Sequence, residues 1–158
     1  MPGVTKRMTV EERFIGDITK EVWPVLNISV KRQITGRLGQ SLYGDYVIAV
    51  DGKTRYVDIK AEEKKSPNFP IEVIQDWPSM DRGWFNALSA CDEIWYGQYG
   101  DDLLVWRIGM HRLRALAPRI GTAWRSAVCA SGQGVTVLIL APLDELVNEK
   151  VAFQVWPI

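Results

Sequence analysis

No stretch of this sequence approaches the ~20 consecutive apolar residues of a membrane-spanning helix, so the chain is expected to fold in water. Cysteine is nearly absent. Cys91 and Cys129 lie far apart and outside any Cys-x-x-Cys spacing, and His111 is the one histidine, so a structural zinc site would lack ligands. Reduced, buried thiols are the expectation. Lys6 and Arg7 are followed by neither an apolar run nor a small-residue cleavage site, so no signal peptide is evident and a cytoplasmic location is expected. Net charge is also missing. Lys and Arg number 19 and so do Asp and Glu, which removes any global pull toward nucleic acid. Repeats, low-complexity tracts and a second domain are not in evidence either.

What is present suits one globular domain: 158 residues, 47% of them hydrophobic, with seven Trp and four Phe as bulky core material. The charge is unevenly spread. Residues 103–143 contain no acid, yet hold Arg107, Arg112, Arg114, Arg119 and Arg125. Lys31, Arg32 and Arg37 form a second acid-free stretch. A neutral chain can thus own a basic face, and Arg107, Arg112, Arg114 and Arg119 are the candidates for nucleic-acid contacts. His111 reads as an ordinary surface residue.

Thr9 and Glu12 have capping-box spacing, and Phe14, Ile18, Val22 and Val25 recur at helical intervals, with Pro24 expected to end that helix near Trp23. Residues 27–44, with three glycines and weak periodicity, read as mostly loop. Residues 45–50 and 53–61 are rich in β-branched and aromatic types and flank Asp51-Gly52, a strong two-residue hairpin signal. Further along, 71–74 reads as a strand, 80–90 as a short helix, and 93–99 with 103–108 as a second hairpin around Gly100-Asp101-Asp102. Residues 110–117 read as helix, resuming over 122–130; 135–140 is an apolar strand and 142–147 a last short helix.

An acid two residues before a lysine occurs four times, so the pattern means little without context. Only Asp58-Ile59-Lys60 falls inside an expected strand, where alternation puts Asp58 and Lys60 on one face. A two-residue turn at Asp51-Gly52 pairs Val50 with Lys53 and so sets Asp45 opposite Asp58. Tyr46, Ile48, Val50, Val57 and Ile59 then share the apolar face, and Asp45, Asp58 and Lys60 the other. Two opposed carboxylates repel unless positive charge lies between them, and a divalent metal would supply it. Phosphodiester hydrolysis asks for such a set: oxygen-held Mg²⁺ for charge and water activation, with a lysine near the nucleophile. Glu21, three residues after Ile18 and seven after Phe14, falls on the stripe expected to face the sheet and joins as a third acid. Glu72, alternating against Ile71 and Val73, ranks below it.

The helix acid, the strand acid and the Asp-x-Lys strand after a hairpin resemble the PD-(D/E)XK superfamily of restriction enzymes, Holliday-junction resolvases and phage exonucleases. More narrowly, Arg13-Phe14-Ile15, Ile18-Thr19-Lys20-Glu21-Val22-Trp23, Gly44-Asp45-Tyr46, Tyr56-Val57-Asp58-Ile59-Lys60-Ala61 and Gly83-Trp84 resemble proteins of bacteriophages and mobile elements. The similarity spans about residues 13–98. It implies an α/β fold whose core, over residues 10–98, is a mixed β-sheet flanked by helices, with strands and helices of 99–158 added to the same domain. It also implies that Asp45, Asp58 and Glu21 bind Mg²⁺ or Mn²⁺ and that Lys60 is the catalytic lysine. The function expected is a Mg²⁺-dependent DNA endonuclease working in the cytoplasm of a bacterial host cell, with a homodimer suited to cutting both strands. The alternative is an inactive protein of the same fold that binds a host or phage protein in defence or replication. Zero net charge leans toward the second.

Overall fold

The structure, a computed structural model, describes residues 7–77, 81–116, 123–131 and 134–158. Helix α1 (Val10–Asp17) begins where the capping box predicts: Glu12 N–H donates to Thr9 Oγ1 at 3.1 Å and Thr9 N–H to the Glu12 carboxylate at 3.4 Å. The helical run ends at Val25, close to the end expected near Trp23. A π-helical turn (Ile18–Val22), in which Trp23 N–H reaches back to Ile18 O, leads into the short α2 (Trp23–Val25). Pro24 sits in the first turn of α2, where a missing N–H costs little.

Among the described residues, ten strands form two sheets. The larger runs in the order β1 (Ser29–Gln33), β2 (Tyr46–Val50), β3 (Lys53–Glu62), β6 (Glu93–Tyr99), β7 (Leu103–Gly109), β10 (Ala152–Trp156). Its β3–β6 pair is parallel and its other pairs antiparallel, so this is an α/β chain with a mixed sheet flanked by helices. The smaller sheet is antiparallel, ordered β5 (Asp81–Arg82), β4 (Asn68–Trp77), β9 (Gly134–Pro142), β8 (Arg125–Ser131). One face of the larger sheet buries Ile48, Val57, Ile59 and Trp95 against Phe14, Ile18, Val22 and Trp23 of the first helical segment. Its other face buries Ile94, Tyr96 and Ile108 against Phe69, Ile71 and Ile139 of the smaller sheet. Phe85 of α4 (Trp84–Ala87), Leu113 of α5 (Met110–Ala115) and Leu146 of α6 (Leu143–Asn148) close that second core.

Several expectations need correction. Residues 27–44 are not mainly loop: they hold β1 and α3 (Arg37–Tyr43). Every residue of β1 is exposed, so this edge strand shows no apolar alternation and is held by its pairing with β2. The expected helix over 122–130 is replaced by β8, whose partner is β9, and Cys129 is exposed there while Cys91 is buried. The helix expected over 80–90 shrinks to Trp84–Ala87, the strand over 71–74 lengthens to Asn68–Trp77, and β10 was not anticipated. Beyond residue 98, β7 and β10 extend the larger sheet and β9 pairs with β4. Among the described residues no helix is long and apolar enough to cross a membrane.

Candidate active site

The hairpin that carries the site has the register its turn predicts. Asp51 and Gly52 adopt φ of 51° and 72°, as a type I′ turn requires, and pairing runs from Val50↔Lys53 to Tyr46↔Val57. There β2 begins while β3 continues to Glu62, leaving one edge of β3 open. Asp45 fills part of that gap with its side chain. Its Oδ2 accepts the Ile59 N–H at 2.9 Å, and its own N–H donates to Val57 O at 2.8 Å. Gly44 makes the approach possible: at φ +100°, a Cβ on it would lie 2.6 Å from Val57 O. Asp45 is thereby tied to β3 beside Asp58.

Asp58 and Lys60 sit level with Ile94 and Tyr96 of β6 and face the smaller sheet. Asp58 is 5% exposed. The Lys60 ammonium lies 3.0 Å from Asp58 Oδ2 and forms an ion pair with it. Burial pushes the Asp58 carboxyl up to about 7; Lys60 draws it down less than burial raises it, and the Asp45 carboxylate adds to the rise. Burial pulls the Lys60 ammonium down, but Asp58, Glu11 and Asp45 outweigh it and hold it above its ordinary value. Lys60 therefore stays cationic at neutral pH.

Arg37 of α3, Glu72 of β4 and Trp84 of α4 join Asp45, Asp58 and Lys60 around a cleft of about 380 Å³. An adjoining cleft of about 180 Å³ is lined by Glu11, Lys60, Glu72 and Trp84. Crowding by the protein raises the Glu11 carboxyl, Lys60 pulls it down, and Asp45 and Glu72 push it further up. The helix acid beside the site is thus Glu11, from the first turn of α1, rather than Glu21. Glu21 is exposed in the π-helical turn and bears on Tyr99 instead. Residues 11, 14 and 18 share the spacing that selected Glu21, so the signal for Glu11 was present but unused. Glu72, ranked last from sequence, does line the cleft.

The basic stretch goes elsewhere. Arg107 lies opposite Trp95, on the face away from Asp58, with its Nε 2.5 Å from Glu93 Oε2. With Arg55, His111, Arg112 and Lys150 it lines a separate cleft of about 640 Å³. Arg112 donates to Lys150 O at 3.3 Å, and Arg114 donates to the Leu88 carbonyl. Arg119 lies outside the described residues.

Among the described residues no group of three or more His, Cys, Asp or Glu is set to hold a metal ion. The donor set is the pair Asp45 and Asp58, hard oxygen ligands that line one cleft. That suits Mg²⁺, which one or two carboxylates commonly hold while substrate phosphate and water complete its shell. Comparison of the chain with protein-family models, with curated proteins and with solved structures returns no match.

Proposed function

We propose that the chain is a PD-(D/E)XK-type nuclease that hydrolyses DNA phosphodiester bonds, with Asp45 and Asp58 holding Mg²⁺ or Mn²⁺. The observation that carries this reading is the buried Asp58 beside Asp45, its Oδ2 3.0 Å from the Lys60 ammonium at the open edge of β3. A lone ion pair would need no second carboxylate there, and Asp45 makes the pair acid-rich. Asp45 and Asp58 would hold a hard divalent cation, which would supply charge for the phosphoryl oxygens and lower the pKa of water.

The chain's own residues do the rest. Asp45 is immobilised by Ile59 N–H, so its position does not depend on the ligand. Lys60, held cationic by three acids, is poorly suited to take a proton from water; it stabilises the negative charge that grows on the phosphate. Lys60→Ala is expected to lower cleavage by about 10²-fold in a Mn²⁺ assay over plasmid, linear, branched and single-stranded DNA and RNA. Cleavage of no member under any divalent ion would overturn the reading.

A second reading has its own support. The net charge is zero, and Arg107 and Arg114 are engaged by Glu93 and the Leu88 carbonyl. These features favour a protein of this fold that binds a host or phage protein without turnover. That reading expects no cleavage, a stoichiometric complex with a defined partner, and no loss of the complex in Lys60→Ala.

A further inference from the structure

We infer that the nucleic acid reaches this site as an unpaired strand, with Arg37 on a phosphate and the Trp84 indole stacked on a base. This rests on the nuclease reading. Asp58 is 5% exposed and faces the smaller sheet, and residues of α3, α4 and β4, Glu72 among them, line the cleft around it. About 380 Å³ is near the lower end of small-ligand pockets, about 300–1,000 Å³, and so holds roughly one nucleotide rather than a section of duplex. A duplex carries its phosphates on a stiff convex surface with its bases turned inward. A strand that leaves its partner can bring one phosphate to Asp58 without carrying the rest of the duplex into the cleft.

Trp84 is placed for the base that such a strand exposes. Gly83 packs so tightly on β4 that a Cβ on it would collide with Glu72 O, and its N–H donates to Val73 O at 3.1 Å, which sets Trp84 beside Glu72. Ring contacts with Phe69 (centroids 5.6 Å apart) and Phe85 (6.3 Å) hold the indole, and Lys60 Nζ lies 5.9 Å from its centre. The side chain is only partly buried and lines both clefts that contain Lys60. An indole beside a cation at the point of chemistry is a stacking platform of the kind that single-strand binders use. Arg37, exposed at the mouth and without an ion-pair partner among the described residues, supplies the phosphate contact.

The test uses the full chain and one labelled sequence presented as single strand, duplex and splayed fork. Binding is read by fluorescence anisotropy without divalent ion, cleavage with Mn²⁺. Single strand and the free arm of the fork should bind at least tenfold tighter than duplex and be cut in preference. Trp84→Leu, which keeps apolar bulk on Phe69 but has no aromatic face, should weaken single-strand binding about tenfold, whereas Trp84→Phe should restore it. Arg37→Ala should flatten the salt dependence of binding by about 0.7 in log–log slope. Duplex cut as fast as single strand, or equal single-strand affinity in Trp84→Leu and Trp84→Phe, overturns the inference while leaving the nuclease reading intact. Loss of all cleavage with persistent Trp84-dependent binding would instead remove the nuclease reading and keep the unpaired strand.

Discussion

The two faces of the larger sheet each carry a buried acid next to a cation, yet the two settings differ in balance. On the face toward α1, Glu93 meets Arg107 across β6 and β7, and the surrounding cleft holds Arg55, Arg112 and Lys150 as further positive charge. On the face toward the smaller sheet, Lys60 must serve Asp58, Asp45 and Glu11 together. In the first arrangement Glu93 Oε2 is paired with Arg107, while its buried Oε1 has no hydrogen-bond partner. The second has more acid than base: burial first, and then the neighbouring Asp45 carboxylate, raises the Asp58 pKa against the pull of Lys60. Two similar-looking ion pairs thus differ in charge balance: one lies among further cations, the other among further acids.

Breaking the closed pair should have the largest effect on stability. Arg107→Ala leaves Glu93 buried without its cation and is expected to cost about 2–3 kcal/mol in urea denaturation, less than a fully buried pair because Arg107 is partly exposed. Little change there would show that the pair is idle and the contrast empty.

The open pair should behave in the opposite sense. Asp58 titrates near 7 in the fold against 3.8 ordinarily. Its folded pKa lies above the unfolded one, so its contribution is full below about pH 4 and is lost as pH rises through about 7. Without divalent ions, stability should therefore fall across that window. Asp58→Asn should flatten the fall and be more stable than wild type above pH 7 by of order 1–2 kcal/mol. Chemical denaturation at pH 5 and pH 8 measures both, and a less stable variant at pH 8 would count against an acid-rich site.

The smallest effect concerns placement of Glu11. Thr9→Ala removes the capping box and should cost about 1 kcal/mol while loosening the turn that carries Glu11. Asp45 and Asp58 would be untouched, so metal-dependent stabilisation should survive the change.

How much of this could be read in advance follows the range of the interactions. The hairpin register was legible because Asp51-Gly52 constrains a turn locally, and from that register the shared face of Asp45, Asp58 and Lys60 followed. Thr9 and Glu12 marked the helix start for the same reason. Local patterns could not show that Asp45 would cap Ile59 N–H, because that depends on β3 outrunning β2. Glu21 was preferred by extending a regular helical stripe past residue 18, where the π-helical turn shifts the phase; Glu11, on the stripe before it, reaches the cleft. The smaller sheet was hidden for a different reason: β4 finds β9 some 70 residues later, a pairing with no local signature. The arginines fooled composition because their partners are a carboxylate across the sheet and main-chain carbonyls, which charge counts along the chain cannot register.

The central claim, that Asp45 and Asp58 form an open cation site, is tested most directly by thermal unfolding at pH 8 with and without millimolar Mg²⁺ or Mn²⁺. An ion that binds only the folded state raises the midpoint by mass action. The account predicts a rise in wild type that disappears in Asp58→Asn and in Asp45→Asn, both variants remaining folded. An equal rise in all three proteins would contradict it.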